Sequence, residues 1–141
     1  MKKTDLLVIG GSAGGILSAT MARKAYGGDI DITVIRDTDA VMVPCGIPYI
    51  YGTLRCTSKN VIPDKMLVDA KINLVVGTVV KIDKENKTVT TKNNDTYSYK
   101  KLVIATGSLP IIPTFIPGHE FEKCIPDLQE PGLSEHHPGE A

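Results

Sequence analysis

The chain has no tryptophan, and aromatic residues are 5% of its 141. That leaves no supply of stacking surfaces for single-stranded nucleic acid. It has no excess of either charge, because 16 Lys and Arg stand against 16 Asp and Glu. Without a basic balance there is no electrostatic footprint for nucleic acid or for an anionic membrane surface. Long apolar runs are also missing. Behind Met1-Lys2-Lys3 the stretch Leu6-Leu7-Val8-Ile9 is approached through Asp5 and ended by glycines, too short for a secretory leader or a membrane span. Three cysteines, an odd number with no close pair, do not make a disulfide framework. The expectation is one soluble, cytoplasmic domain in a reducing compartment, with no nucleic-acid or membrane partner. At 42% hydrophobic residues it can bury a core.

What is present begins with that apolar run. Leu6 to Ile9 reads as a strand buried on both faces, as in parallel sheets. Gly10-Gly11-Ser12-Ala13-Gly14-Gly15 follows, then Ile16 to Ala25, rich in helix formers and basic near its end. Gly27-Gly28 stops the helix, and Asp31 to Ile35 is a second strand. Strand, glycine turn, helix and strand make one βαβ unit. In that setting glycines let the backbone approach a pyrophosphate, whose charge is met by the helix N-terminus. Against the dinucleotide fingerprint G-x-G-x-x-G, Gly10 and Gly15 fill the first and third places and Ser12 the second. An acidic residue that binds ribose hydroxyls is expected about 20 residues further on. Arg36 stands there, with Asp37 beside it. Arg36 either meets a phosphate or stacks on adenine while Asp37 takes the ribose, or both are plain surface charge.

The stretch Val43-Pro44-Cys45-Gly46-Ile47-Pro48-Tyr49 sets one thiol between two prolines. Pro44 extends the chain before it, and Pro48 suits the first turn of a helix over Gly46 to Tyr51, ended by Gly52. Cys45 then lies at or just before a helix N-terminus, which favours a thiolate, unless it is simply a small buried hydrophobe. Tyr49 and Tyr51 either pack near a ligand or are half-buried helix residues, the preferred reading. Cys56 lies in a polar loop and is not expected to resolve Cys45. Asp64 to Ala70 predicts a brief helix and Ile72 to Val76 a strand. Val79 to Asp83, Lys87 to Thr91 and Thr96 to Lys100 predict an antiparallel meander. Leu102 to Ile104 predicts a buried strand leading into Ala105-Thr106-Gly107, where glycine permits a tight bend.

The GGSAGG turn, the VPCGIPYIYGTL stretch and the ATG turn, in that order, resemble the N-terminal FAD domain of the pyridine nucleotide–disulfide oxidoreductases. The resemblance covers roughly residues 4 to 118. It is to the single-cysteine subgroup of coenzyme A disulfide reductases, NADH oxidases, NADH peroxidases and NAD(P)H sulfur or polysulfide reductases, since Ile50 stands where two-cysteine members carry a second thiol. Ala13 stands where peroxidases and many oxidases carry His, which favours the coenzyme A disulfide and sulfur reductases. The resemblance implies an α/β, Rossmann-like FAD-binding domain: a parallel sheet with an antiparallel meander. It implies FAD as cofactor and NAD(P)H as electron donor. The resemblance implies Cys45 as the catalytic residue, cycling through a thiolate, a sulfenic acid or a mixed disulfide. The resemblance further implies that Gly10, Gly11, Ser12, Ala13, Gly14, Gly15, Arg36, Asp37, Pro44, Val80, Ala105, Thr106 and Gly107 bind the cofactor, with the Val80 backbone holding adenine. No metal is expected. The resemblance implies a small disulfide, coenzyme A disulfide, sulfur species or oxygen as acceptor, and a homodimer for the complete enzyme.

After Gly118 the character changes. Six of nine prolines lie from Pro110 onward and all three histidines from His119, without alternation or a helical stripe. Residues 1–118 are expected to be the FAD-binding part and 119–141 a disordered tail. His136-His137 beside Glu135 and Glu140 suggests a solvated tail rather than a metal site. Only one nucleotide fingerprint is present, and the resemblance implies a further NAD(P)H domain, a return strand and a dimer domain. A fragment, an early stop or a frameshift near residue 118 is therefore expected. The alternative to an enzyme is a truncated, non-catalytic flavin- or nucleotide-binding module.

Overall fold

The computed structural model describes residues 1–108 together with Phe115 and Pro117. The expected tail, with Cys124 and the three histidines, lies outside the described residues. Two compact units divide the chain.

The first unit, residues 1–39 and 63–107, is built on one six-stranded sheet. Its strands are β1 (Lys2–Ile9), β2 (Ile32–Arg36), β3 (Asn73–Val76), β4 (Val79–Asp83), β5 (Thr88–Thr91) and β6 (Thr96–Ile104), in the order β3-β2-β1-β6-β5-β4. β3, β2, β1 and β6 run parallel, with Leu7 opposite Thr33 on one side and Leu102 on the other. β4, β5 and β6 form the antiparallel meander. All five β2 residues are buried, as befits a strand covered on both faces. Leu7, Ile9 and Ile35 share a buried cluster with Val89 and Tyr97, so the meander and the parallel strands have a common core. Each such side chain taken fully out of water contributes about 2 kcal/mol.

Helix α1 (Ala13–Tyr26) buries Gly15, Ile16 and Ala19. The Gly27 N–H caps it on the Arg23 carbonyl at 2.9 Å. The Arg23 guanidinium donates to the carbonyls of Gly27, Ile30, Ala70 and Lys71, tying the helix end to the loop before β3. That loop follows the short helix α3 (Lys65–Asp69).

Two differences from the sequence expectation concern β6. Thr96 to Lys100 and Leu102 to Ile104 are one continuous strand, because the same residues pair antiparallel with β5 at one end and parallel with β1 throughout. Its second half is not buried: Leu102 and Val103 are partly covered and Ile104 is 62% exposed. Among the described residues β5 flanks β6 only over Thr96–Ser98, leaving Lys101 to Ile104 paired on the β1 side alone.

Among the described residues the second unit holds residues 40–62 with Ser108, Phe115 and Pro117. Its arms pair antiparallel through the Met42–Val61 bridge, flanked by Val43 N–H to Asn60 O and Ile62 N–H to Val41 O, each 2.8 Å. Between the arms run a 3-10 turn (Pro44–Gly46), helix α2 (Ile47–Tyr49), a π turn (Ile50–Leu54) and a second 3-10 turn (Thr57–Asn60). The expected single helix over Gly46 to Tyr51 is therefore three short turns of different pitch. Pro48 has no N–H to offer the Pro44 carbonyl, so Ile47 donates to it and the first turn tightens. Tyr49 and Tyr51 are 61% and 72% exposed, not half-buried.

Candidate functional site

The turn between β1 and α1 is fixed by close backbone approaches. Gly10 has φ +108°, its N–H donates to Ile35 O at 2.8 Å, and a Cβ there would lie 2.2 Å from Ala105 O. A Cβ on Gly15 would lie 1.8 Å from Gly10 O. No side chain fits at either place, so the helix N-terminus sits directly on the turn. α1 accordingly begins at Ala13, three residues before the expected Ile16, with Gly14 and Gly15 inside it despite their poor helix propensity. Ser12 is the N-cap residue, and its side chain makes no capping bond. The first turn of α1 has no acidic residue, so its N–H groups and the positive dipole end face no carboxylate on their own helix. Such an arrangement can bind an anion.

Beside this turn, where β1, β2 and β3 end, lies a cavity of about 140 Å³. Gly10, Asp37, Gly77, Thr78, Val79 and Thr106 are among its lining residues. The carboxyl ends of parallel strands are where open α/β sheets take their ligands. Gly77 is placed there by its N–H bond to Arg36 O at 2.7 Å, which continues the β2–β3 ladder. Ala105 is placed by its N–H bond to Ile9 O at 2.8 Å. Gly107 takes φ +68°, the left-handed bend expected of it.

Arg36 also lines the cavity, but it is 4% exposed and its guanidinium is engaged within the protein. It makes two bonds to the Asp64 carboxylate, at 2.5 and 2.8 Å, and donates to the carbonyls of Thr38 (2.7 Å) and Asp39. Its stem lies under Gly11, where a Cβ would come within 2.6 Å of Arg36 Cδ. Asp37 is the exposed carboxylate at the cavity. Val80 is 60% exposed and does not line the cavity; it is the extra residue of a β-bulge, since Val79 opposes Thr91 and Lys81 opposes Thr90.

Pro44 and Cys45 belong to the second unit. Cys45 is exposed, within the Pro44–Gly46 turn rather than ahead of a helix long enough to carry a macrodipole. The buried-hydrophobe alternative for Cys45 does not hold. Cys56 differs: its Sγ lies 2.8 Å from Ser58 Oγ, and hydrogen bonds from the Ser58 hydroxyl and backbone hold the thiol below its ordinary pKa. Sequence reasoning missed Asp64 as the partner of Arg36, Thr78 as a cavity residue, and Asn60, which is 4% exposed in the second unit. Gly77-Thr78-Val79 beside Val80 was the one signal available for Thr78. Among the described residues no cluster of three His, Cys, Asp or Glu side chains could hold a metal ion, and no helix is long and apolar enough to cross a membrane.

A glycine turn closed on a helix N-terminus, with a cavity at the carboxyl ends of parallel strands, defines a dinucleotide-binding α/β protein. Residues 4–133 match the model of the pyridine nucleotide-disulphide oxidoreductase family, and the chain belongs to that family. The family's members are oxidoreductases that use FAD and NAD(P)H. A coenzyme A disulfide reductase of Staphylococcus haemolyticus is 31% identical over 113 residues, 73% of this chain and 26% of the relative. A CoA-dependent NAD(P)H sulfur oxidoreductase of Pyrococcus abyssi is 31% identical over 121 residues, 80% of this chain and 26% of the relative. The solved sulfide:quinone oxidoreductase of Aquifex aeolicus superposes with a TM-score of 0.69 at 29% identity, over 79% of this chain and 25% of that one. The chain thus spans about a quarter of the length of the curated relatives it matches.

Proposed function

We propose that this chain is the FAD-binding part of a cytoplasmic NAD(P)H-dependent oxidoreductase that reduces a disulfide, coenzyme A disulfide or sulfur species at Cys45. The observation that carries the reading is the glycine turn. Its two steric prohibitions, at Gly10 and Gly15, leave backbone N–H groups open at the α1 N-terminus beside a cavity edged by a carboxylate. A dinucleotide supplies what such a cradle needs, a pyrophosphate for the turn and ribose hydroxyls for Asp37.

The residues fit FAD in the following way. Gly10 to Gly15 hold the pyrophosphate, with the Ser12 hydroxyl free to join them. Asp37 accepts from the ribose hydroxyls, while Arg36 supports Gly11 from below. The bulged backbone at Val80 serves the adenine. Ala105-Thr106-Gly107 serve the flavin side. FAD, when bound, supplies two-electron chemistry between a nicotinamide and an acceptor. Cys45 contributes the thiol: its thiolate attacks one sulfur of a disulfide, forming a mixed disulfide with Cys45 and releasing the other half as a thiolate. Ala13 in the turn provides no His for peroxide chemistry, which supports a disulfide or sulfur acceptor over peroxide. The complete enzyme is a homodimer in this reading.

Coenzyme A disulfide is the first acceptor to test, because both curated relatives are named for coenzyme A. Incubated with it in a Cys56→Ser, Cys124→Ser background, the chain is expected to gain one coenzyme A by intact mass, reversible by a reductant and lost when Cys45→Ser is added. A Cys56→Ser, Cys124→Ser chain that gains no coenzyme A would remove Cys45 from the mechanism. The second reading, a flavin-binding module without catalysis, would retain flavin and form no Cys45 adduct.

A further inference from the structure

We propose that Asn60 is a positioning residue for Cys45, an inference that rests on the reading of Cys45 as the redox thiol. The turn that carries Cys45 runs from Val43 to Gly46, closed by the Gly46 N–H on the Val43 carbonyl at 2.9 Å. Asn60 touches both ends of it. Its side-chain Nδ2 donates to the same Val43 carbonyl at 3.0 Å, and its backbone carbonyl accepts the Val43 N–H at 2.8 Å. Its Oδ1 occupies the space beside Gly46: a Cβ there would lie 1.9 Å from it.

Asn60 is thus a buried amide whose donor end pins the acceptor of the turn and whose acceptor end packs on the last residue of the turn. A buried amide is costly unless it is bonded, and here its bond goes to the turn of the thiol. Cys45, at the apex, is exposed, and its side chain makes no hydrogen bond among the described residues. Its position is therefore set through Val43 and Gly46, and Asn60 holds both. The same geometry gives Gly46 its reason: any side chain there displaces the amide.

The test is spin labelling of the full chain. In a Cys56→Ser, Cys124→Ser background a nitroxide methanethiosulfonate is attached to Cys45. A control label is placed at the exposed Tyr51 by Tyr51→Cys in the same background with Cys45→Ser. Asn60→Ala is expected to speed rotation of the Cys45 label by about two-fold or more while the control label is unchanged. Exchange of the Gly46 amide hydrogen is expected to rise about ten-fold. Asn60→Asp keeps the volume but has no N–H for Val43, and is expected to release the label as well. It is the variant to read should Asn60→Ala not fold. An immobile Cys45 label in Asn60→Asp, or equal loosening of both labels, overturns the proposal, since the second outcome makes Asn60 merely structural. The coenzyme A adduct described above is a separate readout. Its absence with a released label would remove the redox role of Cys45 and leave the Asn60 contact standing.

Discussion

At the scale of single residues, the fingerprint glycines leave the least room for change. Gly15 is the sharpest case, because the obstacle is a backbone carbonyl that cannot swing away. Gly15→Ala is expected to cost about 1–3 kcal/mol of stability in a denaturant titration, and to weaken FAD binding measured by quenching of flavin fluorescence. A variant that binds FAD as well as the parent would separate the turn from the cofactor. The fingerprint glycines were legible in the sequence because their spacing is itself the signal. Arg36 was not. Its position past β2 marks the ribose-binding place, but the fate of the guanidinium was decided by Asp64, 28 residues on and unannounced by any pattern. Asn60 was equally silent, a lone polar residue in a polar loop until burial gave it a role. Cys56 also gained a character only in three dimensions. Its ordinary pKa is lowered by Ser58, so Ser58→Ala should slow iodoacetamide alkylation of Cys56 at neutral pH in a Cys45→Ser, Cys124→Ser background. An unchanged rate would mean that the bond does not favour the thiolate.

At the scale of elements, alternation and apolar runs located every strand of the sheet, and the glycine turn located α1 to within three residues. What they misjudged was continuity. Nothing local distinguishes two strands from one when Lys100 and Lys101 break the apolar pattern. They do so because Lys100 is exposed and joins Asp5 of β1 at 2.6 Å. The same Asp5 accepts the Asp31 N–H at 2.8 Å, so one carboxylate joins β1, β6 and the approach to β2. Lys100 and the Asp31 N–H hold the Asp5 pKa below its ordinary value, and Asp5 holds that of Lys100 above its own. The signs then set the pH window. The Asp5 contribution is present above its unfolded pKa and is lost as pH falls through the lowered folded one; the Lys100 contribution is present below its unfolded pKa and is lost as pH rises through the raised one. The stability difference between the parent and Asp5→Asn should therefore be level through neutral pH and shrink on acidification below about pH 4. A difference that persisted undiminished at acid pH would show that the carboxylate charge is not what matters. The helix expected after Cys45 failed for a reason visible in hindsight in its own residues: prolines at 44 and 48 remove N–H donors, and glycines at 46 and 52 lower helix propensity.

At the scale of the whole molecule, the class of fold was readable from three short motifs in the right order, and the family match agrees with them. The division into two compact units was not readable, since residues 40–62 carry no change of composition at their borders. Ligand binding gives a measurement at this scale. FAD at one hundred times its dissociation constant should raise stability by about 2.7 kcal/mol, and the thermal midpoint should climb with FAD concentration in the parent but stay flat in Gly15→Ala. A flat response in the parent would count against the proposed cofactor. The continuous strand β6 has a further consequence, for the order in which the chain assembles. Its pairing with β5 closes across a short turn, whereas its partner Lys2 on β1 is 95 positions away from Tyr97 along the chain. Local pairs form early and distant ones wait on loop closure. During synthesis β1, made first, must therefore stay unpaired on its β6 side until almost a hundred further residues have left the ribosome. Refolding should show the meander hairpin protected from exchange before the β1–β6 seam closes.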